Sequence, residues 1–274
     1  MPEKLTALIP CKNEERNVRP CIESVRGLAD EVLVADSGST DRTMAIAAEL
    51  GCRIVQREYV NSADFKNWAI PQASSPWVLV VDADERVTGE LASEIRSLLS
   101  GAPRFDGYVI RRRNHFFGHA IDHCGWNRDK VLRLFRRDVS RYEKKRVHAD
   151  VVVQTGRVGS LRGRLLHYTY WTFDQYLEKF GRYTTWAAED LRDRGRRAGF
   201  LSLTLRPAWR FFRHYFLMLG FLDGRAGLIL SRLAAYSVFM KYAKLWAMDH
   251  GLPWPDPEKD ARAEKTPPRD AGDG

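Results

Sequence analysis

The first hundred residues alternate between apolar runs and segments with helical spacing, and this alternation constrains the fold more than any other feature. The apolar runs cover Leu5–Ile9, Glu31–Ala35, Arg53–Gln56 and Trp77–Val81. The last run is almost entirely apolar, which is typical of a strand that is covered on both faces. Repeated strand–helix units of this length predict an α/β fold with a mostly parallel central sheet and flanking helices.

The segments between and after these runs carry helix and strand signals of their own. Ser37–Asp41 is rich in hydroxyl groups and can cap a helix that continues through Leu50. Further helices are predicted over Ala63–Ala73 and around Leu91–Leu99. Beyond Asp106 the pattern changes to short strands divided by polar loops, predicted at Gly107–Arg111, Lys130–Phe135 and Val147–Val153.

The last third of the chain is predicted to be helical, and it is aromatic and basic. Between Arg157 and Gly251, sixteen lysines and arginines oppose seven acidic residues, so the net charge of +9 lies here. The segment Arg206–Arg213 mixes cations with aromatic rings, which favours the surface of an anionic membrane. The apolar stretch Phe216–Leu222 is far shorter than a membrane span, so no transmembrane helix is predicted. No nucleic-acid-binding motif is present, and nucleic acid is not an expected partner.

Three acidic residues, Asp82, Asp84 and Glu85, follow the most apolar predicted strand. Ligands of open α/β sheets bind at the carboxyl ends of strands, and carboxylates placed there can hold a hard divalent cation on a diphosphate. An EF-hand loop is excluded because Arg86 and Val87 stand where that motif needs an oxygen ligand and a glycine. The alternative is that these carboxylates only cap the next helix.

Two more polar clusters follow the first and second predicted strands. Pro10–Glu15 comes after the first strand, and Asp36–Asp41 comes after the second. In the second cluster, Asp36 can accept hydrogen bonds from a nucleobase or ribose, and Gly38 lets a ligand approach the backbone. Because the strand ends meet at one edge of a parallel sheet, the three clusters are expected to line one crevice.

The combination of these motifs resembles the family 2 glycosyltransferases. The resemblance is carried by Ile9–Glu15, Ala35–Asp41, Phe65–Ala69 and Val81–Glu85. Similarity to the lipopolysaccharide-core β-glucosyltransferase branch is added by Gly125–Phe135, Val147–His148 and Asp223–Gly227. The resemblance implies a GT-A fold and transfer of a sugar from a nucleotide-diphosphate donor.

The resemblance also implies which residues bind the donor. Asp36 would contact the uracil of a UDP-sugar, with Pro10 and Glu14 lining the pocket for base and ribose. Lys66 would approach the nucleotide or diphosphate, and Arg133 belongs to the same donor-binding set.

A divalent metal is implied by the Asp-x-Asp motif. Asp84, with Asp82 beside it, would hold Mg²⁺ or Mn²⁺ on the diphosphate and so stabilise the departing nucleotide. Asp82 is also expected to contact the donor directly. His148 would reach the metal or the diphosphate, although a structural histidine beside a strand is the competing interpretation.

An inverting transfer needs a base that takes the proton of the acceptor hydroxyl. Asp129, four residues before Arg133, resembles the acidic motif that the family places upstream of an arginine, and it is the first candidate. The branch often has Val-His-Glu where this chain has Val147–Asp150, so Asp150 is the second candidate. The alternative for Asp129 is an ordinary surface turn residue.

These expectations divide the chain into three parts. Residues 1–170 are predicted to be the GT-A catalytic domain, with a nucleotide-sugar half at 1–100 and an acceptor half at 101–170. Residues 171–251 form the helical region that faces a membrane or the acceptor, and residues 252–274 are a disordered tail. The scattered cysteines and the lack of a signal peptide favour a cytoplasmic protein, peripheral on the inner face of the cytoplasmic membrane.

The predicted function is inverting transfer of a sugar, with glucose first among the candidates, from a UDP-sugar to a lipopolysaccharide-core or other lipid-linked glycan acceptor. One alternative keeps the fold but uses a polyprenyl phosphate or a peptide as acceptor. A second alternative is a non-catalytic nucleotide-sugar-binding protein, because Ala149 stands where the branch often has its glutamate.

Overall fold

The computed structural model describes residues 2–143 and 150–251, and the chain divides into two compact units, Met1–Thr172 and Phe173–Gly274. The first unit is mixed α/β and the described part of the second is helical. The predicted fold class is therefore confirmed.

The described residues of the first unit form eleven strands and four α-helices. The strands are β1 Leu5–Cys11, β2 Glu31–Asp36, β3 Arg53–Gln56, β4 Trp77–Val80, β5 Glu85–Val87, β6 Gly107–Phe116, β7 His119–Ile121, β8 Lys130–Arg136, β9 Ser140–Tyr142, β10 Val151–Val153 and β11 Val158–Tyr170. The helices are α1 Glu15–Arg26, α2 Thr43–Glu49, α3 Ser62–Ala69 and α4 Gly89–Ser100.

The central sheet has the order β3-β2-β1-β4-β8-β6-β11-β5, with β7 paired to β6. Strands β1 to β4 pair in parallel, as the strand–helix alternation predicts. From β8 onward the sheet is mixed, because β8 runs antiparallel to β4 and β6 whereas β11 runs parallel to β6. Strands β9 and β10 form a separate antiparallel pair.

Of the parallel strands, β1 and β4 are buried on both faces, which explains their apolar sequences. In β1, Ala7 and Ile9 belong to one hydrophobic cluster and Leu8 belongs to another. Successive residues of a strand point to opposite faces, so Leu8 packs with Val78 and Val80 on the second face. The acidic turn after β4 is thus held by a rigid, doubly covered strand.

Strand β11 is the main element that sequence analysis did not predict. Its buried residues Leu161, Gly163 and Leu165 alternate with exposed arginines. Gly163 leaves room for α4, since a Cβ at this position would lie 2.5 Å from the Cα of Leu91. Glycines inside a strand weaken its sequence signal, but here one of them allows a helix to approach the sheet closely.

Other elements differ from the prediction at their ends. The helix predicted over Ala63–Ala73 ends as α-helix at Ala69 and continues as a 3₁₀ turn over Ile70–Gln72, where Pro71 lacks an N–H for the helical ladder. The strand predicted from Gly107 extends to Phe116. Of the strand predicted over Val147–Val153, the last three residues form β10, and the first three lie outside the described residues.

The second unit is helical, as predicted. It contains α5 Phe173–Asp193, α6 Phe200–Leu203, α7 Leu205–Phe212 and α8 Gly224–Asp249, with a π-helical turn at Arg213–Leu217 and a 3₁₀ turn at Gly220–Asp223. Its small core joins Ala188 of α5 to Tyr242 and Leu245 of α8. In the described part of the chain, no helix is both long and apolar enough to cross a bilayer. The predicted tail, residues 252–274, lies outside the described residues.

Candidate active site

The loops after β1 and β2 are joined by hydrogen bonds. Cys11 and Asp36 are register partners at the ends of these parallel strands. The Asn13 N–H donates to Ser39 Oγ at 2.9 Å, and the Thr40 N–H donates to Asn13 Oδ1 at 2.8 Å. Two of the three predicted polar clusters therefore form one continuous edge of the sheet. Pro10, a register partner of Ala35, lies at this edge.

Asp36 is buried, and its carboxylate organises the turn that follows β2. Ser39 Oγ donates to Asp36 Oδ1 at 2.6 Å, and Gln56 Nε2 donates to Oδ2 at 2.9 Å. Burial raises the pKa of Asp36, but the hydrogen bonds from Ser39 and Gln56 outweigh it and hold this pKa below its usual value. Asp36 is thus an ionised acceptor at the crevice, and its contact with a base stays a prediction.

Glu14 and the acidic turn are linked through Asn17. Asn17 Nδ2 donates to Glu14 Oε2 at 2.8 Å, while Asn17 Oδ1 accepts from Arg86 Nη2 at 3.1 Å and from Trp171 Nε1 at 3.0 Å. The first polar cluster is therefore connected both to the turn after β4 and to the residue that follows β11.

Asp82 is held between two cations. Lys66 Nζ lies 2.8 Å from Asp82 Oδ1, and Arg133 Nη2 donates to Asp82 Oδ2. Burial raises the pKa of Asp82, but the charges of Arg133 and Lys66 dominate and hold it well below its usual value. Both carboxylate oxygens of Asp82 are engaged by cations, and its contact with a metal or with the donor stays a prediction.

The ion-pair network continues through Glu85 to Asp129. Glu85 is fully buried, and its Oε1 lies 2.8 Å from Arg133 Nη2 and 3.2 Å from Arg112 Nη1. Arg112 also binds Asp129 in a bidentate manner, with both N···O distances at 2.9 Å. One network therefore contains Lys66, Asp82 and Arg133, which are predicted to bind the donor or the metal. It also contains Asp129, the first candidate base.

A second chain of contacts joins Asp129 to Asp84. Asn114 Nδ2 donates to Asp129 Oδ2 at 2.9 Å, and Asn114 Oδ1 lies 2.6 Å from His167 Nδ1. Because the amide nitrogen donates to a carboxylate, the amide oxygen is the acceptor, and His167 carries its proton on Nδ1. His167 Nε2 then faces Asp84 Oδ2 at 3.4 Å.

Asp129 and His167 border a cavity of about 450 Å³. Asn114, Trp126 and Tyr170 also line it. The side chain of Asp129 is 25% exposed, so its carboxylate remains accessible from the cavity in spite of its two partners. The cavity is large enough for a sugar-sized ligand.

Asp84 and His167 are the residues that could hold a metal. Within residues 2–143 and 150–251, no group of three or more histidine, cysteine or acidic side chains forms a complete metal site. An ion at Asp84 and His167 would therefore need further ligands, such as diphosphate oxygens and water, which is the usual situation for Mg²⁺ bound with phosphates.

Of the two remaining candidates, Asp150 is the one that lies within the described residues. Asp150 is exposed, directly precedes β10, and accepts a backbone hydrogen bond from the Glu143 N–H at 3.0 Å. His148 lies outside the described residues.

Sequence analysis missed three residues of the site: Arg112, Asn114 and His167. Arg112 and Asn114 occupy alternate positions near the end of β6, and this spacing of polar residues after the buried Tyr108 and Ile110 is a signal that could have identified them. His167 lies on β11, the strand that was not predicted.

The sequence of the chain is similar to those of known glycosyltransferases. Residues 6–148 match the model of glycosyl transferase family 2. The chain is 32% identical over 253 residues to the lipopolysaccharide core biosynthesis glycosyltransferase LpsC of Rhizobium meliloti (strain 1021), covering 87% of this chain and 93% of that protein. It is 29% identical over 258 residues to an uncharacterized glycosyltransferase of Rickettsia felis, covering 89% of each.

A solved structure shows the same fold over nearly the whole chain. The crystal structure of S. aureus TarS 1-349 in complex with UDP-GlcNAc matches with a TM-score of 0.50 and 14% identity, covering 92% of this chain and 93% of that one. The fold and the strand-end site define a glycosyltransferase. More narrowly, the chain belongs to glycosyl transferase family 2.

Proposed function

We propose that this glycosyltransferase moves a sugar, with glucose as the first candidate, from a UDP-sugar to a lipopolysaccharide-core or other lipid-linked glycan acceptor, with inversion at the anomeric carbon. The relative from Rhizobium meliloti, named for lipopolysaccharide core biosynthesis, supports this acceptor class. The observation that carries the proposal is the contact chain from Asp84 through His167 and Asn114 to Asp129 beside the cavity. It connects a proposed metal ligand to a proposed base.

The donor nucleotide is proposed to bind along the ends of β1 and β2. Pro10 and Glu14 would line the pocket for base and ribose, and Asp36 would accept from the uracil. Since Gln56 already donates to Asp36 Oδ2, a uracil N–H would replace or share this contact. Lys66 and Arg133 are engaged with Asp82, and they supply positive charge where the diphosphate would lie.

We place Mg²⁺ or Mn²⁺ on Asp84 and His167. His167 Nε2 and Asp84 Oδ2 lie 3.4 Å apart, so both side chains could reach one divalent ion. The contact with Asn114 orients the His167 ring so that Nε2 faces Asp84, as the outer partners of metal-binding histidines do. A metal held here would stabilise negative charge on the leaving diphosphate.

Asp129 is proposed as the base. As the acceptor oxygen bonds to the anomeric carbon and the bond from that carbon to the diphosphate breaks, the hydroxyl proton passes to the Asp129 carboxylate. Arg112 and Asn114 hold this carboxylate in place. A positioned carboxylate of this kind accelerates proton transfer by about 10² to 10⁴-fold.

The proposal is tested by ligand binding and turnover of the full chain. Thermal melting is measured with UDP, UDP-glucose and GDP, each with Mn²⁺ or with a chelator, and turnover is measured with UDP-glucose and a truncated lipopolysaccharide core. UDP should stabilise the protein more than GDP does, and more with Mn²⁺ than with chelator. Equal stabilisation with chelator would remove the metal from the proposal, and stabilisation by GDP alone would reject the donor class.

A further inference from the structure

The outward face of α7 is apolar, which reverses the usual arrangement of a surface helix. Leu205, Trp209, Phe212 and Phe216 are 60%, 58%, 44% and 48% exposed. The spacing of the first three places them on one side of α7, and Phe216 lies in the π-helical turn that follows. Ring contacts join Trp209 to Phe212 and Phe212 to Phe216, with centroids 5.8 and 5.2 Å apart. These four residues are called the exposed apolar strip.

The other side of the same segment is the side that packs against α8. The Arg232 guanidinium lies 4.7 Å from the centre of the Phe211 ring, and His214 is buried. Arg206 donates to the hydroxyl of Tyr242 and lies over its ring. Because these contacts hold one side of the segment against α8, the residues of the strip on the other side are left exposed.

The surface around the strip is positively charged. From Arg194 to Leu222 the chain contains six arginines and no aspartate or glutamate. Among the described residues, no carboxylate forms an ion pair with Arg210 or Arg213. Within the described part of the chain, these two cations beside the strip are therefore not paired with carboxylates.

Neighbouring titratable groups respond to this charge. Burial lowers the pKa of His214 to about 4, with further lowering by Arg210 and Arg213. Burial also lowers the pKa of Lys241, and Arg210 and Arg206 lower it further. Burial is the larger cause of both shifts, and the arginines add to it.

We propose that the exposed apolar strip, with the arginines beside it, binds the surface of an anionic lipid bilayer. The rings and the leucine enter the interface, while the guanidinium groups pair with lipid phosphates. A second copy of the chain is a poorer occupant, because a twofold contact would place these arginines against themselves. Nucleic acid would use the charge but not the exposed apolar side chains. The proposal does not depend on the identity of donor or acceptor.

The test is co-sedimentation of the full chain with vesicles. Mixed phosphatidylglycerol–phosphatidylcholine vesicles are compared with pure phosphatidylcholine at low and high salt. The chain should bind the anionic vesicles, and binding should weaken as salt rises. The double variant Trp209→Ser, Phe212→Ser should weaken vesicle binding about tenfold. The double variant Arg210→Gln, Arg213→Gln should weaken it roughly fivefold for each charge removed.

Trp186→Ser is the matched control, since Trp186 is 44% exposed on α5 and lies outside the strip. This variant should bind vesicles as the unchanged chain does. Melting curves of each variant check folding, and Phe216→Ser is the substitute for any strip variant that melts early. The proposal would be overturned if the chain did not bind vesicles or bound neutral vesicles equally well. It would also be overturned by an equal loss of binding in Trp186→Ser, or by a dimer that the strip variants dissociate.

Discussion

His167 Nδ1 and Asn114 Oδ1 lie 2.6 Å apart, and this contact sets the orientation of the histidine ring. The same amide donates to Asp129. One side chain therefore orients both the proposed metal ligand and the proposed base, so a change at Asn114 should affect both functions together.

Replacing Asn114 with Leu keeps the size of the side chain but removes its hydrogen bonds with His167, Asp129 and the Trp126 carbonyl. Turnover should fall, and the Mn²⁺ concentration needed for half-maximal UDP stabilisation should rise by about 10 to 100-fold. Melting curves in a Mn²⁺ titration and steady-state rates give these two quantities. Asn67→Leu is the control, because Asn67 makes a comparable pair of hydrogen bonds with the backbone of Tyr142. If both variants lose metal response equally, Asn114 has only a structural role.

The proposed metal ligands are tested by Asp84→Asn and His167→Gln. Each should abolish most of the additional stabilisation that Mn²⁺ gives to the UDP complex, because each removes one of the two protein ligands. The matched control is Asp122→Asn, whose carboxylate is 43% exposed and paired with Arg113. Retention of the full metal effect in both ligand variants would show that the metal binds elsewhere.

Asp129→Asn separates the two candidate bases. Turnover should fall by about 10² to 10⁴-fold, while UDP affinity should change little, because the base acts on the acceptor in the transition state. The comparison is Asp150→Asn, which should keep near-normal turnover. The opposite pattern would assign the base to Asp150, and normal turnover in both variants would exclude both residues.

The lowered pKa of Glu31 predicts how the free energy of unfolding depends on pH. Burial raises its pKa, but hydrogen bonds from Thr6 and Ser74 outweigh burial and lower the pKa from 4.5 to about 2. Because the pKa is lower in the folded state, ionised Glu31 stabilises the fold above about pH 4.5, and this contribution is lost as pH falls towards 2.

Glu31→Gln should therefore be less stable than the unchanged chain at neutral pH, by on the order of 2 kcal/mol. The difference should shrink as the pH falls below 4.5. Urea unfolding curves across this pH range measure it. A difference that stays constant with pH would mean that packing of the side chain, rather than its charge, carries the effect.

The parallel half of the fold could be predicted because its signals are local. Strands such as Trp77–Val80 are buried on both faces, and their apolar composition follows directly. The acidic turn was recognisable for the same reason, since Asp82 and Asp84 come directly after this strand.

The histidine of the site could not be placed because its strand is defined by a distant contact. Gly159 and Gly163 lower the strand propensity of β11, and the need for Gly163 becomes visible only where Leu91 packs against it. Likewise, the bidentate contact of Arg112 with Asp129 joins residues on different elements. Such pairings depend on the register of β6 and β8, which no local pattern specifies.

The position of β11 at the end of the sheet sequence determines when His167 becomes available during synthesis. The ribosome releases the chain from its N-terminus at about 5 to 20 residues per second, so the turn that carries Asp84 emerges several seconds before His167. Until β11 pairs with β5 and β6, a nascent chain has the loops that are proposed to bind the nucleotide but lacks this histidine. The proposed metal site is therefore completed late in synthesis, after the rest of the sheet has been translated.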